Sequence, residues 1–174
     1  YINEADYNQY VMRKIVNDNR EYIVGEIDRQ TIYTTLRAEL FVTPELSFQY
    51  YGSPYASSGN YSNYRKVEHS LAKDSEERYE SLLVENKQYL TGPSNVMYHN
   101  FESWTPDFNF QEFRSNFVAR WEYKTGSTAY FVWTNNRTRY ESSYESSILK
   151  SFKGISNVAA QNAFMVKISY WFSL

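Results

Sequence analysis

A chain of 174 residues with a formal net charge of −2 and no cysteine has the size of one domain, and it offers neither a disulfide framework nor a thiolate metal site. The near-neutral charge gives no general attraction to nucleic acid, so no nucleic-acid partner is expected. The absence of a run of about 18 apolar residues argues against a transmembrane helix. The 18 Tyr, 11 Phe and 4 Trp residues suit membrane–water interfaces, but also binding surfaces and β-sandwiches.

The first third of the chain predicts two antiparallel hairpins. Residues 7–15 and 22–27 are apolar-rich runs on either side of Asn-Asp-Asn at 17–19, and these residue types form tight turns. Residues 31–43 then alternate between two faces until Pro-Glu at 44–45 interrupts the pattern, which afterwards resumes. Two alternating runs separated by so few turn residues are typical of a hairpin.

A long connection follows at residues 58–107. It contains a predicted helix over residues 71–83, with Asp74 and Ser75 as candidate caps, and Gly-Pro at 92–93 ends the region after it. A connection of this length inside a domain is usually functional or mobile. It therefore predicts either a segment that folds into or over the strands, as a plug or lid, or a mobile surface loop.

Residues 113–123 and 128–140 predict a further hairpin. The first run alternates, with Val118 as the exception, and the second contains Tyr-Phe-Val-Trp at 130–133, where the assignment of faces is ambiguous. Lys-Thr-Gly-Ser at 124–127 makes the turn, because glycine readily adopts the left-handed conformation.

The last eleven residues alternate strictly, with one wholly apolar face that ends in aromatic side chains. Such a strand can close a soluble sheet, but its length and alternation also fit a membrane-spanning strand of an outer-membrane barrel. In that case it would act as the signal that the barrel-insertion machinery recognises by strand pairing. The residues of this candidate assembly-signal strand are Phe164, Val166, Ile168, Tyr170, Phe172 and Leu174.

The lengths of the connections favour the barrel. The turns at 44–45 and 124–127 are short, whereas the connections at 58–107 and 141–161 are long. Because successive strands alternate in direction, the short turns fall at one end together with the C-terminus. Short periplasmic turns, long extracellular loops and a periplasmic C-terminus are the layout of bacterial outer-membrane barrels.

The predicted fold is therefore all-β. It is an antiparallel meander that forms the C-terminal part of a transmembrane outer-membrane β-barrel, one domain over residues 1–174, with one long, partly helical extracellular loop at 58–107. About six membrane-length strands are present and single-chain barrels need at least eight, so the remaining strands are expected elsewhere, in the same longer chain or in another subunit. The chain starts without a methionine or a leader, which fits a removed leader or a longer polypeptide.

One face of such a sheet lines an aqueous lumen, and several ionic side chains fall on that face. Charged rings inside a barrel can set solute selectivity. Mixed-sign charges can also pair across adjacent strands and simply fill the lumen, and the near balance of signs favours this second interpretation. The lumen-facing candidates are Arg37, Glu39, Arg114, Arg120, Glu122 and Lys167.

The sequence indicates no catalytic residue, metal site or cofactor. His69 and His99 both lie in the long connection, and Glu68 and Asp74 are near His69, but the histidines lack the HExxH spacing and a third ligand at a readable distance. The chain has no G-x-S-x-G elbow, no P-loop and no G-x-G-x-x-G. Whether the protein is an enzyme stays open on this evidence.

Three segments resemble a known family. The first contains DRQT at 28–31, followed by TPELSFQYYGSP and SSGNY within 43–61. The second contains FNF, RSN, RWEY and GST within 108–128, and the third is VKISYWF at 166–172. Together they resemble the C-terminal end of the DUF5916 family of Bacteroidota outer-membrane proteins, over nearly the whole chain. The resemblance implies a much longer protein, with a signal peptide and an N-terminal domain similar to family 9 carbohydrate-binding modules. Ser173-Leu174 departs from the aromatic residue that commonly closes such strands.

The leading hypothesis is an outer-membrane barrel segment with a structural, surface or transport-associated role and a periplasmic C-terminus. Its partners would be outer-membrane lipid, the barrel-assembly machinery, the remaining barrel strands and a glycan. Some members of the family are described as membrane-associated hydrolases, so one alternative is a carbohydrate-active hydrolase with its active site outside this segment. The second alternative is a soluble β-sandwich binding module.

Overall fold

The computed structural model describes residues 1–85, 89–92 and 96–172. Strands make up 68% and helices 6%, and the sheets are antiparallel, so the predicted all-β antiparallel class is confirmed. In chain order the strands are β1 (Ile2–Val16), β2 (Asn19–Tyr33), β3 (Leu36–Phe41), β4 (Leu46–Val67), β5 (Tyr79–Ser81), β6 (Leu83–Glu85), β7 (Tyr89–Thr91), β8 (Met97–Asn100), β9 (Phe108–Lys124), β10 (Ser127–Glu141) and β11 (Gln161–Ser169), and the helices are α1 (Ser75–Arg78) and α2 (Ile148–Ile155).

The chain divides into two compact units. The first comprises residues 1–31, 57–109 and 141–146, and the second comprises residues 32–56, 110–140 and those from 147 onward. The strands of the described residues do not close into a barrel.

The first unit begins with the hairpin of β1 and β2. Its two-residue turn is Asn17-Asp18, with φ values of 50° and 64°, and Val16 pairs with Asn19 across it. Positive φ at both central residues is the type I′ geometry, which matches the twist of the flanking strands. The predicted first hairpin is therefore confirmed, and both of its strands are longer than their apolar runs.

The long connection supplies much of the hydrophobic core of this unit. Strands β6, β7 and β8 form a separate three-stranded antiparallel sheet, and β5 extends the main sheet by pairing with β4. Ile23 of β2 and Leu90 of β7 are both fully buried. The core cluster consists of Val11, Ile23, Tyr64, Leu82, Leu90 and Tyr98. The connection is thus a folded part of the unit.

The helix predicted over residues 71–83 is wrong in extent. The structure has only the four residues of α1, although Asp74 caps them as expected by accepting a hydrogen bond from the Glu76 N–H at 3.1 Å. The chain leaves the helix because Tyr79–Ser81 pairs with β4, where Lys66 lies opposite Glu80. Of the predicted Gly-Pro stop, the proline lies outside the described residues.

The second unit contains β3, β9, β10, β11 and the first half of β4, in the order β3-β4-β9-β10-β11. The prediction of one strand over residues 31–43 is wrong, because the chain breaks at Thr34-Thr35 between β2 and β3. Thr34 donates its N–H to the Pro54 carbonyl at 3.2 Å, but proline has no N–H to return. The ladder is therefore interrupted opposite Pro54.

The terminal strand also differs from the prediction. β11 begins at Gln161, three residues before Phe164, and it ends at Ser169. Its partner sets this end, because β10 starts at Ser127 and the last register pair is Thr128 with Ser169. Tyr170 to Phe172 therefore continue outside the strand, and Leu174 lies outside the described residues.

Candidate functional site

One face of the sheet in the second unit is apolar on all five strands. The register places Leu40 opposite Phe48 and Phe131 opposite Val166, and Phe48 stacks on Phe117 with ring centroids 5.8 Å apart. Side chains alternate along each strand, so their neighbours at a spacing of two share this face. We call the following set the apolar face: Leu36, Leu40, Leu46, Phe48, Phe117, Ala119, Trp121, Ala129, Phe131, Trp133, Phe164, Val166 and Ile168.

Most of the apolar face is exposed, and only Leu46, Phe48, Phe117, Ala119 and Ala129 are half-buried. Phe164, Val166 and Ile168 have 66%, 66% and 68% of their surface accessible, so no described element covers them. A monomeric water-soluble protein rarely exposes apolar side chains contiguously over several strands. The apolar face is therefore the candidate functional surface of the second unit.

Aromatic rings flank the aliphatic part of the apolar face along β11. Trp133 stacks on Phe164 at 6.3 Å before Val166 and Ile168, and beyond them Tyr170 stacks on Phe172 at 6.3 Å. The nine residues of β11 span about 30 Å at the usual rise of an antiparallel strand. This length lies in the range of about 9–11 residues that a tilted strand needs to cross a bilayer.

The opposite face of β3 and β4 is polar. The Arg37 guanidinium lies over the Tyr51 ring, 5.6 Å from its centroid, and Gln49 donates a hydrogen bond to Glu39 at 2.7 Å. Both contacts join residues that are directly opposite in register. Together with Asn116 and other neighbours, these four residues line a cavity of about 410 Å³.

The charged residues of β9 pair along their own strand. Arg120 binds Glu122 at 3.3 Å, and Arg114 binds Glu112 at 2.7 Å. In the described residues the ion pairs of β9 join residues two positions apart, in place of the pairing across adjacent strands expected for these charges. Lys167 is exposed and lies opposite Tyr130. That these side chains line a lumen stays a prediction.

The end of β11 lies beside the short turns of the second unit. Lys124 donates to the Tyr170 hydroxyl at 3.0 Å, and the Trp171 N–H donates to Ser127 Oγ at 3.0 Å. The two short turns are themselves close, because the Glu122 N–H donates to the Glu45 carbonyl at 2.8 Å. The structure thus gives the predicted layout of the short turns and the last described residues.

A second cavity, of about 430 Å³, lies in the first unit. Asp107, directly before β9, accepts a hydrogen bond from the Tyr61 N–H of β4 at 2.8 Å. Burial raises the pKa of the Asp107 carboxyl above its ordinary value, although hydrogen bonds from Tyr61 and Thr105 oppose the shift. The sequence interpretation missed this carboxylate, and its only local signal is Trp-Thr-Pro-Asp before an alternating run.

An ionic cluster also stabilises the first unit. Lys66 binds Glu68 and Glu80, each at 2.5 Å. Burial opposes the charge on Lys66, but the two ion pairs prevail and raise its pKa, and the same contact lowers the pKa of Glu68. Burial raises the pKa of the neighbouring Tyr98 to about 12. The pKa shifts of Lys66 and Glu68 therefore follow from ion pairs within the first unit.

The two histidines do not lie in a cluster of side chains that could bind a metal ion in the described part of the chain. His99 Nε2 lies 2.6 Å from the Trp104 carbonyl oxygen, and its ring packs edge-on against Phe101 and Trp104. His69 lies on the surface. Over the described ranges, no group of three His, Asp or Glu side chains could hold a metal ion. Neither helix of the described chain has the length and apolar character needed to cross a membrane.

The fold and its faces define an all-β protein with an antiparallel sheet that is apolar on one side and polar on the other. The chain belongs to the DUF5916 family, a domain of unknown function whose family model matches residues 1–173. Comparison with curated proteins and with solved structures gives no match.

Proposed function

We propose that this chain is the C-terminal strand set of a bacterial outer-membrane β-barrel with a structural, surface or transport-associated role. The observation that carries the proposal is the exposed apolar face across β3, β4, β9, β10 and β11. Lipid is the solvent that such a face needs, because exposing it to water forfeits about 25 cal/mol for each Å².

Two further features support lipid as the cover. The polar side of the same sheet carries Arg37, Glu39, Arg120 and Glu122, as expected where strands alternate apolar-out and polar-in. The free edge of β11 is the second feature, because in the described residues this strand pairs only with β10. An unpaired edge is very costly in lipid, so a further strand must close it in the membrane.

Charge placed on the two sides of β11 tests the proposal. Val166→Arg puts a guanidinium on the apolar face, whereas Met165→Arg puts one on the opposite side at a residue that is also more than half exposed. A cation on the lipid face of a barrel costs about 2–4 kcal/mol near the bilayer centre. We expect Val166→Arg to reduce membrane assembly severalfold and Met165→Arg to leave it near wild type.

The measurement is the yield of heat-modifiable protein in outer-membrane fractions of a Gram-negative host, with the variants made in the protein that includes the strands closing the barrel and with total expression as the reference. Equal yields of the two arginine variants would contradict a lipid-facing side. Recovery of the wild-type protein in the aqueous phase without detergent would instead support a soluble β-sandwich module.

A further inference from the structure

The cavity in the first unit opens beside residues 60–64 of β4. At this point the Tyr61 N–H is bonded by the Asp107 carboxylate, while the Tyr64 carbonyl accepts from the Leu82 N–H at 2.9 Å. Asn63 between them has a φ of 47°, a left-handed conformation that asparagine tolerates. The irregular backbone turns successive side chains of this segment toward one opening.

One wall of the cavity is aromatic. Phe101 is partly buried, and its ring lies 5.3 Å from the buried Tyr64 ring at an angle of 39°. Tyr61 lines the cavity as well, and its carbonyl accepts a hydrogen bond from the Tyr64 hydroxyl at 3.4 Å. The contact between Tyr64 and Phe101 holds two aromatic rings in the cavity wall. Such a surface favours a ligand with a flat face of C–H groups.

The remaining wall is polar, and two of its side chains make no hydrogen bond within the described chain. The side chains of Asn60 and Ser62 line the cavity and have no hydrogen-bond partner in the described chain. The Asp107 carboxylate has acceptor sites beyond its bonds to Tyr61 and Thr105, since an ionised carboxylate offers about four. A wholly apolar ligand would leave these groups desolvated and unpaired, which disfavours its binding.

The charge of the residues that line the cavity further restricts the class of ligand that it can bind. The cavity is lined by no lysine, arginine or histidine of the described residues, and Asp107 is its only carboxylate. An anionic ligand would therefore meet a negative charge without a compensating cation. The volume of about 430 Å³ lies within the range of small-ligand sites.

We propose that this cavity binds a neutral saccharide unit. The C–H face of the sugar ring would pack on Phe101 and Tyr61, and its hydroxyls, which donate and accept, would pair with Asp107, Asn60 and Ser62. The site lies wholly in the first unit, so this inference does not depend on the membrane role of the apolar face.

The test uses the full chain solubilised in an alkyl amine oxide, because maltoside and glucoside detergents carry a competing sugar. Saturation-transfer NMR is run with glucose, galactose, mannose, xylose, N-acetylglucosamine and their disaccharides, with galacturonic acid as the anionic probe and choline as the cationic probe. We expect saturable binding of at least one neutral sugar. Phe101→Ala and Asp107→Asn should each weaken that binding about tenfold, equivalent to about 1.4 kcal/mol.

Matched controls are Phe41→Ala and Asp28→Asn, which change exposed residues of the same types outside the cavity. If Phe101→Ala does not fold, Phe101→Leu removes the flat ring but keeps the apolar volume, and Asn60→Ala removes only a polar contact. Binding unchanged in the cavity variants would overturn the proposal. Saturable binding of choline or galacturonic acid alone would also overturn it, as would no binding at all.

Discussion

Gly59→Ala tests the packing between β4 and the start of β9. Gly59 is buried in β4, and a Cβ there would lie 2.5 Å and 2.9 Å from Phe108 ring carbons and 3.0 Å from Ile27 Cδ1. Carbon atoms pack best at about 3.5–4.0 Å, so the ring must move by about 1 Å. Ile27 is only 4% exposed and leaves little room for that movement.

The expected cost follows from two opposing terms. Overpacking a well-packed site costs about 1–3 kcal/mol, while replacing glycine by alanine within a strand returns about 0.5–1 kcal/mol. We expect a net loss of about 1–2 kcal/mol in the free energy of unfolding, measured by urea denaturation followed by tryptophan fluorescence.

Two further variants test whether the steric clash at Gly59 causes the expected loss of stability. Gly52→Ala in the same strand is the control, because there a Cβ would meet only the far end of the Tyr50 side chain, at 3.0 Å. Its effect should be close to zero or stabilising. Adding Phe108→Leu to Gly59→Ala should recover part of the loss, because the ring is the obstacle. Equal stability of Gly52→Ala and Gly59→Ala, or additivity of the Gly59 and Phe108 changes, would refute the steric argument.

Two further substitutions probe local features of the first unit. Lys66→Met removes both ion pairs of the cluster. In the wild type Lys66 lowers the pKa of Glu68 in the folded state. This ion pair therefore contributes stability at pH values above the unfolded pKa of Glu68, and the contribution is lost as the pH falls through the folded pKa. The variant should therefore lose less stability between about pH 7 and about pH 3 in urea titrations, and identical acid limbs would contradict this linkage. Asp18→Val places a β-branched residue at a φ of 64° and should destabilise the β1–β2 hairpin by about 1–2 kcal/mol, while Asp18→Gly should be neutral or stabilising. Thermal unfolding by circular dichroism ranks the two variants, and the reverse order would exclude the type I′ turn.

The strands of this protein follow from local patterns in the sequence. Alternation at a period of two reflects the pleat itself, so it marks β9, β10 and β11 without knowledge of their neighbours. Turn chemistry is equally local: Asn17-Asp18 forms the predicted turn, and Gly126 adopts the predicted left-handed conformation with a φ of 76°. The two faces of β9 and β11 could be predicted for the same reason, whereas the run at 130–133 left the faces of β10 ambiguous.

The boundaries of the elements depend on residues far along the chain. Pro54 breaks the strand at Thr34 because it lies opposite in the ladder, and the start of β10 at Ser127 sets the end of β11. The predicted helix over residues 71–83 gives way to β5 because β4 offers hydrogen bonds that a local pattern does not reveal. Helix α2 was not predicted from the sequence.

The sequence by itself determined the all-β class, the hairpin turns and the alternating apolar residues of β11, because each depends on residues a few positions apart. Only the tertiary structure decided the cavity at Asp107. Tyr61, Phe101 and Asp107 come from separate segments, and a hydrogen bond between Asp107 and the β4 backbone brings them together. Periodicity reports the faces of a strand, but a site built across segments depends on contacts that exist only in the folded chain.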